Sequence, residues 1–422
     1  MTAPNELTVA QAVSLLERRE LAAEELLDSC LERIAQREPQ VQAWEALDPR
    51  GALEQARRID ASPRRPLLHG VPVGIKDLID TADLPTTYGS PIYRGHRPPA
   101  DAACVSALRA AGAVFPGKTV TTEFAVFAPG KTRNPHDPAR TPGGSSSGSA
   151  AAVADRMVPA ALGSQTAGSV IRPASFCGVV GFKPSFGALD LRGVHPLAPS
   201  LDTLGFFVRT VEDIPWMTAA LQGGRPPATP ELPRRLPRLG LCRTDQWPRA
   251  GPGAQRLVEQ AAARLERAGC SVREVELGVD GLADAQADIM SAEAAGALRV
   301  ERQSNDAQLS DRLRSFLREG ETCPPERLRA ARELAQRGRR AFEALFDQVD
   351  ALLTPAAAGE APALDTTGDP AFCRIWTLLG APCASLPLLE GPAGLPIGLQ
   401  LVGARGRDAQ LVAAAAWIEQ AY

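Results

Sequence analysis

The chain has 422 residues, enough to bury a large core as one domain with an insertion or as two domains. Apolar residues make up 44% and charged residues 23%, as in an ordinary soluble globular protein. The net charge of −3 gives no electrostatic basis for binding nucleic acid or an anionic membrane.

In chain order, residues 7 to 37 predict a helix. Thr8 and Gln11 form a capping-box pattern with Leu7 as its staple, Leu26, Leu27, Cys30, Leu31 and Ile34 share one face, and Pro39 stops the segment. A second helix is expected from Pro49 to about Ile59, and this N-terminal part carries no chemistry. From about residue 67 short apolar strands alternate with helices. Val71, Val73 and Ile75 read as a strand ending at Lys76-Asp77, Asp101 to Ala111 as a helix, Ala113 to Phe115 as a strand, and Met157 to Leu162 as a buried strand. Between them lies the loop TPGGSSSGS at 141 to 149, running into an Ala-rich helix at 150–154. A Pro-rich stretch at 222 to 237 reads as a surface connection. Amphipathic helices such as Ala254 to Ala268 and Pro325 to Phe346 follow. Strand texture returns at Ala351 to Thr354, Cys383 to Leu388 and Leu399 to Val402, before a last helix from Asp408 to Gln420. The alternation predicts an α/β fold with a central sheet.

Eight cysteines are scattered without a CxxC pair, a spacing that suits neither a disulfide framework nor a zinc site. Buried reduced thiols are expected, and with them a cytoplasmic location. The N-terminus lacks the basic and apolar regions of a leader, and no run of about 18 apolar residues predicts a membrane span. Only four histidines occur: His69, His96, His136 and His195.

Two Gly/Ser-rich loops stand out, 143–149 and 163–174. Both sit between strongly apolar segments, unlike flexible linkers. Small residues let backbone N–H groups approach a ligand closely, and a run of them before Ser169 suits an oxyanion hole. A serine needs a base. The histidines show no triad motif, and Ala167 and Ile171 replace the glycines of a nucleophile elbow. A buried lysine losing its proton through desolvation is the other option. Lys76 at the end of a strand is a candidate, with Lys118 and Lys183 as rivals.

The segments GVPVGIKDLID around Lys76, AGAVFPGKTVTTEFA at 111–125, TPGGSSSGSAAAVA at 141–154 and GSQTAGSVIRPASFCGVVGFKPSFG at 163–187 resemble the amidase signature family. So do SLDTLGFFVRTVED, LLTPAAAG and GLPIGLQLVG, and the likeness spans about 7 to 420. The resemblance implies an α/β amidase signature fold, a mixed central sheet covered by helices on both sides. It would be a single domain over 1–422, with a helical segment at 1–60, a catalytic core at 61–221, a variable helical region at 222–350 shaping the acyl pocket, and a return to the core at 351–422.

It also implies a Ser–cis-Ser–Lys triad. Lys76 would be the base, Ser145 the serine held by a cis peptide, and Ser169 the acyl-forming nucleophile, with the backbone N–H groups of Thr166, Ala167, Gly168 and Ser169 as oxyanion donors. The substrate would be a small-molecule amide releasing ammonia or an amine. No metal or organic cofactor, nucleic acid or membrane is implied, and homodimers are common among such proteins. Three departures from the usual pattern are Gln165 in place of a bracing carboxylate, Ala167 in place of a glycine, and an arginine shifted to Arg172.

Other readings have their own marks. Gly112 to Thr119 fits the P-loop spacing, but its strand-like residues fall inside the loop and Pro116 lacks an N–H. A Cys-His hydrolase would use Cys177 with Asp190 and His195. An amidase subunit of a tRNA-dependent amidotransferase, working within a complex, is the alternative function.

Overall fold

The computed structural model describes residues 3–63, 66–225 and 235–422. Most of the Pro-rich stretch at 222–237 lies outside the described residues. The described residues form an eleven-stranded mixed sheet. In chain order its strands are β1 (Trp44–Leu47), β2 (Val73–Lys76), β3 (Gly117–Thr119), β4 (Ala160–Gln165), β5 (Val180–Lys183), β6 (Thr203–Val208), β7 (Arg238–Cys242), β8 (Ser271–Val275), β9 (Ala351–Pro355), β10 (Cys383–Glu390) and β11 (Pro396–Val402). Across the sheet they run β1-β3-β2-β4-β6-β5-β10-β11-β9-β7-β8.

Helices cover both faces, and β6 shows why its sequence TLGFFV has no polar alternation. Leu204, Phe206 and Val208 enter a core shared with Val13, Leu16 and Leu26 of the N-terminal helices and Leu411 and Ile418 of the C-terminal one. Phe207 points the other way, to a cluster with Ala151, Val153, Ala174 and Cys177 of the helices Ser147–Ala154 and Ile171–Cys177.

Several expectations need correction. The helix expected over 7–37 is two helices, Val9–Glu17 and Ala23–Val41. The Thr8–Gln11 capping box is present, but Arg19 turns left-handed at φ 58°. The second helix starts where the Asp60 carboxylate accepts from the N–H groups of Ala23 and Glu24, a tie that local periodicity cannot show. Pro39 does not end that helix; it runs two residues further and closes on Gln42 in the left-handed conformation. Trp44–Leu47 adds an unforeseen strand to the N-terminal part.

The strand expected at 113–115 forms at Gly117–Thr119 instead, where the Gly117 backbone presses on Ala46 O; a Cβ there would lie 2.1 Å from that oxygen. Strands β7 and β8 lie within the region expected to be helical, and they extend the sheet through parallel pairing of β7 with β9.

Pairing decides which residues meet. β2 and β4 run parallel, so Lys76 and Gln165 end at the same sheet edge. β6 is antiparallel to β4 with Thr203 opposite Gln165, which brings the residue before it, Asp202, to that edge. Sites gather beyond strand ends of this kind in α/β sheets. Phe206, fully buried against Phe182, tests the core that supports the edge. Phe206→Ala is expected to lower unfolding free energy by about 3–5 kcal/mol in a urea melt.

Candidate active site

Lys76 is fully buried, and its Nζ lies 2.8 Å from Ser145 Oγ and 2.9 Å from Ser164 Oγ. No carboxylate among the described residues lies within ion-pair range of it. Burial pushes the amine down to about 7, and the more distant charge of Asp202 offsets this only in part. The rival lysines are equally buried but already engaged. Lys118 pairs with Asp77 at 3.2 Å and donates to Ile79 O, and Lys183 donates to Pro184 O and Ala381 O. Of the three, Lys76 is the one that meets serine hydroxyls.

Ser145 follows a cis Gly144–Ser145 peptide. The run of small residues around it is knitted to the sheet. Ser146 Oγ donates to Ser164 O, Ser147 Oγ to Val120 O, and Ser149 Oγ to Leu162 O. Gly148 is required here, since a Cβ would stand 2.2 Å from Ala43 O. The Gly144 carbonyl accepts from Arg172 Nη2 at 2.6 Å. Arg172 is itself buried, its Nε and Nη1 have no hydrogen-bond partner, and burial lowers its pKa to about 10.

The second loop leaves β4 at Gln165 and enters the helix Ile171–Cys177. Gln165 performs the bracing expected of a carboxylate. Its Oε1 accepts from the N–H groups of Val170 and Ile171 at 2.9 and 3.0 Å, while Nε2 donates to Thr377 Oγ1. Thr377 in turn donates to Ala167 O at 2.8 Å, and Gln286 Nε2 donates to Thr166 O at 2.8 Å. The Ala167 methyl belongs to an apolar cluster with Ile171, Cys373 and Trp376.

With its carbonyls held in this way, the loop leaves donors free. The N–H groups of Ala167, Gly168 and Ser169 donate to no other described residue. Ser169 is 7% exposed, and its hydroxyl makes no hydrogen bond among the described residues, including none to Ser145. The structure thus joins Lys76 to Ser145 directly and places Ser169 at the end of the loop with an unengaged hydroxyl.

Sequence reasoning did not single out Ser164, Asp202, Gln286 or Thr377. Ser164 and Asp202 lie inside segments that carried the resemblance. Asp202 accepts from Thr166 Oγ1 and from the N–H groups of Leu197 and Ala198, and burial raises its carboxyl to about 6. Gln286 and Thr377 arrive from helices more than 100 residues downstream, with no local signal.

The rejected chemistries also find their places. Lys118-Thr119 of the P-loop-like run lies in β3, not at a helix start. Cys177 is buried with its thiol pushed up and its Sγ against Pro142 O. His195 pairs with Glu301 at 3.4 Å instead of with a thiol. All eight cysteines are free, and seven are buried. Among the described residues, no group of three or more His, Cys, Asp or Glu side chains could hold a metal ion, and no helix is long and apolar enough to cross a membrane.

Comparison with known proteins bears on this arrangement. A sequence profile described as Amidase matches residues 25–412. The sequence is 34% identical to the A subunit of glutamyl-tRNA(Gln) amidotransferase from Cyanothece sp., over 91% of this chain and 92% of that one. It is similar to a crystal structure of an amidase, with a TM-score of 0.90 and 32% identity over 98% of this chain and 99% of the other. It also resembles the peptide amidase of Stenotrophomonas maltophilia, with a TM-score of 0.83 and 31% identity over 98% and 96%.

Gln165→Ala would leave the buried Val170 and Ile171 N–H groups unpaired. It is expected to cost at least about 2 kcal/mol of stability in chemical denaturation.

Proposed function

Since the chain belongs to the amidase signature family, hydrolases acting on carbon–nitrogen bonds, we propose that it cleaves a small-molecule amide through an acyl-enzyme on Ser169. The observation that carries this reading is a fully buried lysine, its amine lowered to about 7 so that a large share is uncharged at pH 7, bonded to Ser145 beside a loop of free N–H donors.

In this mechanism the uncharged Lys76 amine has two N–H donors and one lone pair. Ser164 accepts one N–H, which leaves the lone pair free to accept the Ser145 proton across the 2.8 Å contact. Ser145 gives its proton to Lys76 and takes one from Ser169, whose hydroxyl closes onto Ser145 once substrate is bound; such contacts tighten in the substrate complex. Ser169 Oγ attacks the amide carbonyl. The N–H groups of Thr166, Ala167, Gly168 and Ser169 hold the oxyanion, a role worth roughly 3–4 kcal/mol per donor. The relay runs backward to protonate the departing ammonia or amine, and water releases the acyl group by the same route.

A second reading draws on the curated relatives, which are named as amidotransferase A subunits. It would have this chain act within a complex on aminoacylated tRNA. Copurification with two larger partners, or turnover confined to charged tRNA, distinguishes it from a free amidase acting on small amides.

A screen for ammonia or amine release over a panel of amides tests the main reading. Ser169→Ala and Lys76→Ala are each expected to lower turnover by about a thousandfold or more; a loss under about tenfold in either counts against the assigned roles. Because the base acts as the free amine, kcat/KM should climb about tenfold per pH unit below about 7 and level off above it. Asp202 raises the Lys76 pKa, so Asp202→Asn should move that inflection to lower pH.

A further inference from the structure

The loop that carries Ser169 is fastened through its carbonyls. A peptide group is planar, and in the trans form its C=O and N–H point in opposite directions. Whatever holds one carbonyl therefore aims the N–H of the next residue. Thr166 O accepts from Gln286 Nε2 at 2.8 Å, which aims the Ala167 N–H. Ala167 O accepts from Thr377 Oγ1 at 2.8 Å, which aims the Gly168 N–H. Gly168 O accepts from the Arg172 N–H at 3.0 Å, which aims the Ser169 N–H. Each of the three unengaged donors thus has its own fastening.

Two of these fastenings come from distant helices. Thr377 also accepts from Gln165 Nε2, so replacing it disturbs two braces at once. Gln286 is simpler. It lies in the helix Leu282–Ala297 and is fully buried. Its Oε1 accepts from Arg374 Nη1 at 2.5 Å. A guanidinium can only donate, so this contact takes the amide oxygen and leaves the NH2 group for Thr166 O. That nitrogen also lies 3.6 Å from Met290 Sδ, a weak acceptor. Thr166 is fixed independently on its side-chain end, where the hydroxyl donates to Asp202 Oδ1 at 2.5 Å. The residue is held from the sheet edge and from the helix, and the Ala167 N–H stays free.

We propose that Gln286 is a positioning residue for the reaction: by holding Thr166 O it aims the Ala167 N–H at the oxyanion, and so acts on the transition state without touching the substrate. This rests on the amidase reading above and gives that reaction a further residue.

The test measures Gln286→Met, which keeps much of the volume and removes both hydrogen bonds, and Gln286→Glu. The second keeps the shape and the Arg374 contact, but its carboxylate has no N–H for Thr166 O. Thermal melts establish that each variant is folded. The substrates are the amide cleaved fastest in the panel above and p-nitrophenyl acetate, an activated ester that reports acyl transfer to Ser169 where no amide is cleaved. In both variants kcat is expected to fall by about tenfold to a hundredfold. KM should stay within about threefold, because the interaction is made only in the transition state. The inflection of kcat/KM near pH 7 should stay in place, since Lys76 and Ser145 keep their partners. General disruption of the site would move it.

If one variant does not fold, the other is decisive; if neither folds, Gln286 is a folding residue and the proposal is overturned. A kcat within about threefold of the unmodified chain, with turnover that Ser169→Ala abolishes, overturns the proposal and leaves the amidase reading intact. A loss that appears in KM, or one accompanied by a moved inflection, overturns it as well. Turnover of neither amide nor ester by the unmodified chain, or turnover that survives Ser169→Ala, removes the amidase reading and the proposal together.

Discussion

Removing an ammonium group from water without an opposite charge beside it is costly, and the side chain lowers that cost by giving up its proton. Lys76 is in this position, ending a strand inside the sheet with two serine hydroxyls and, among the described residues, no carboxylate in ion-pair range. Hydroxyls can both donate and accept, so they tolerate a neutral amine where a carboxylate would hold it charged. Lys118, one strand away, shows the contrast: it is as deeply buried but has Asp77 at 3.2 Å. What separates Lys118 from Lys76 here is a carboxylate within ion-pair range.

The serine side depends on a complementary arrangement. A loop can offer free N–H groups only if its carbonyls and flanks are held by something else, because unpaired backbone in a buried place is otherwise unstable. Gln165 takes the first two N–H groups at the helix entrance, Thr377 fixes Ala167 O and Gln286 fixes Thr166 O. A glutamine suffices for the bracing position because its oxygen accepts twice and its nitrogen finds a hydroxyl acceptor. The helices from 282 onward thus brace the loop from behind.

Much of this was legible in the sequence because it is local. The two Gly/Ser loops, the apolar strand ending at Lys76 and the capping box at Thr8 are written in adjacent residues, and they were read at or near their true positions. The order of the motifs pointed to the family. Misreadings fell where distant residues intervene. Asp60 opens a helix at Ala23, Ala46 O fixes the strand at Gly117, and pairing with β9 draws β7 out of a region that reads as helical.

The sequence by itself therefore determined the sheet-and-helix framework, which follows from composition and short-range periodicity, and the candidate residues and their spacing through the family resemblance. From the residues alone, Lys76 at a strand end kept Lys118 and Lys183 as rivals. Their physical difference lies in which side chains the strand order β3-β2-β4-β6 places around each, and that was decided only by the tertiary structure. The same holds for Asp202, brought to the edge by antiparallel pairing.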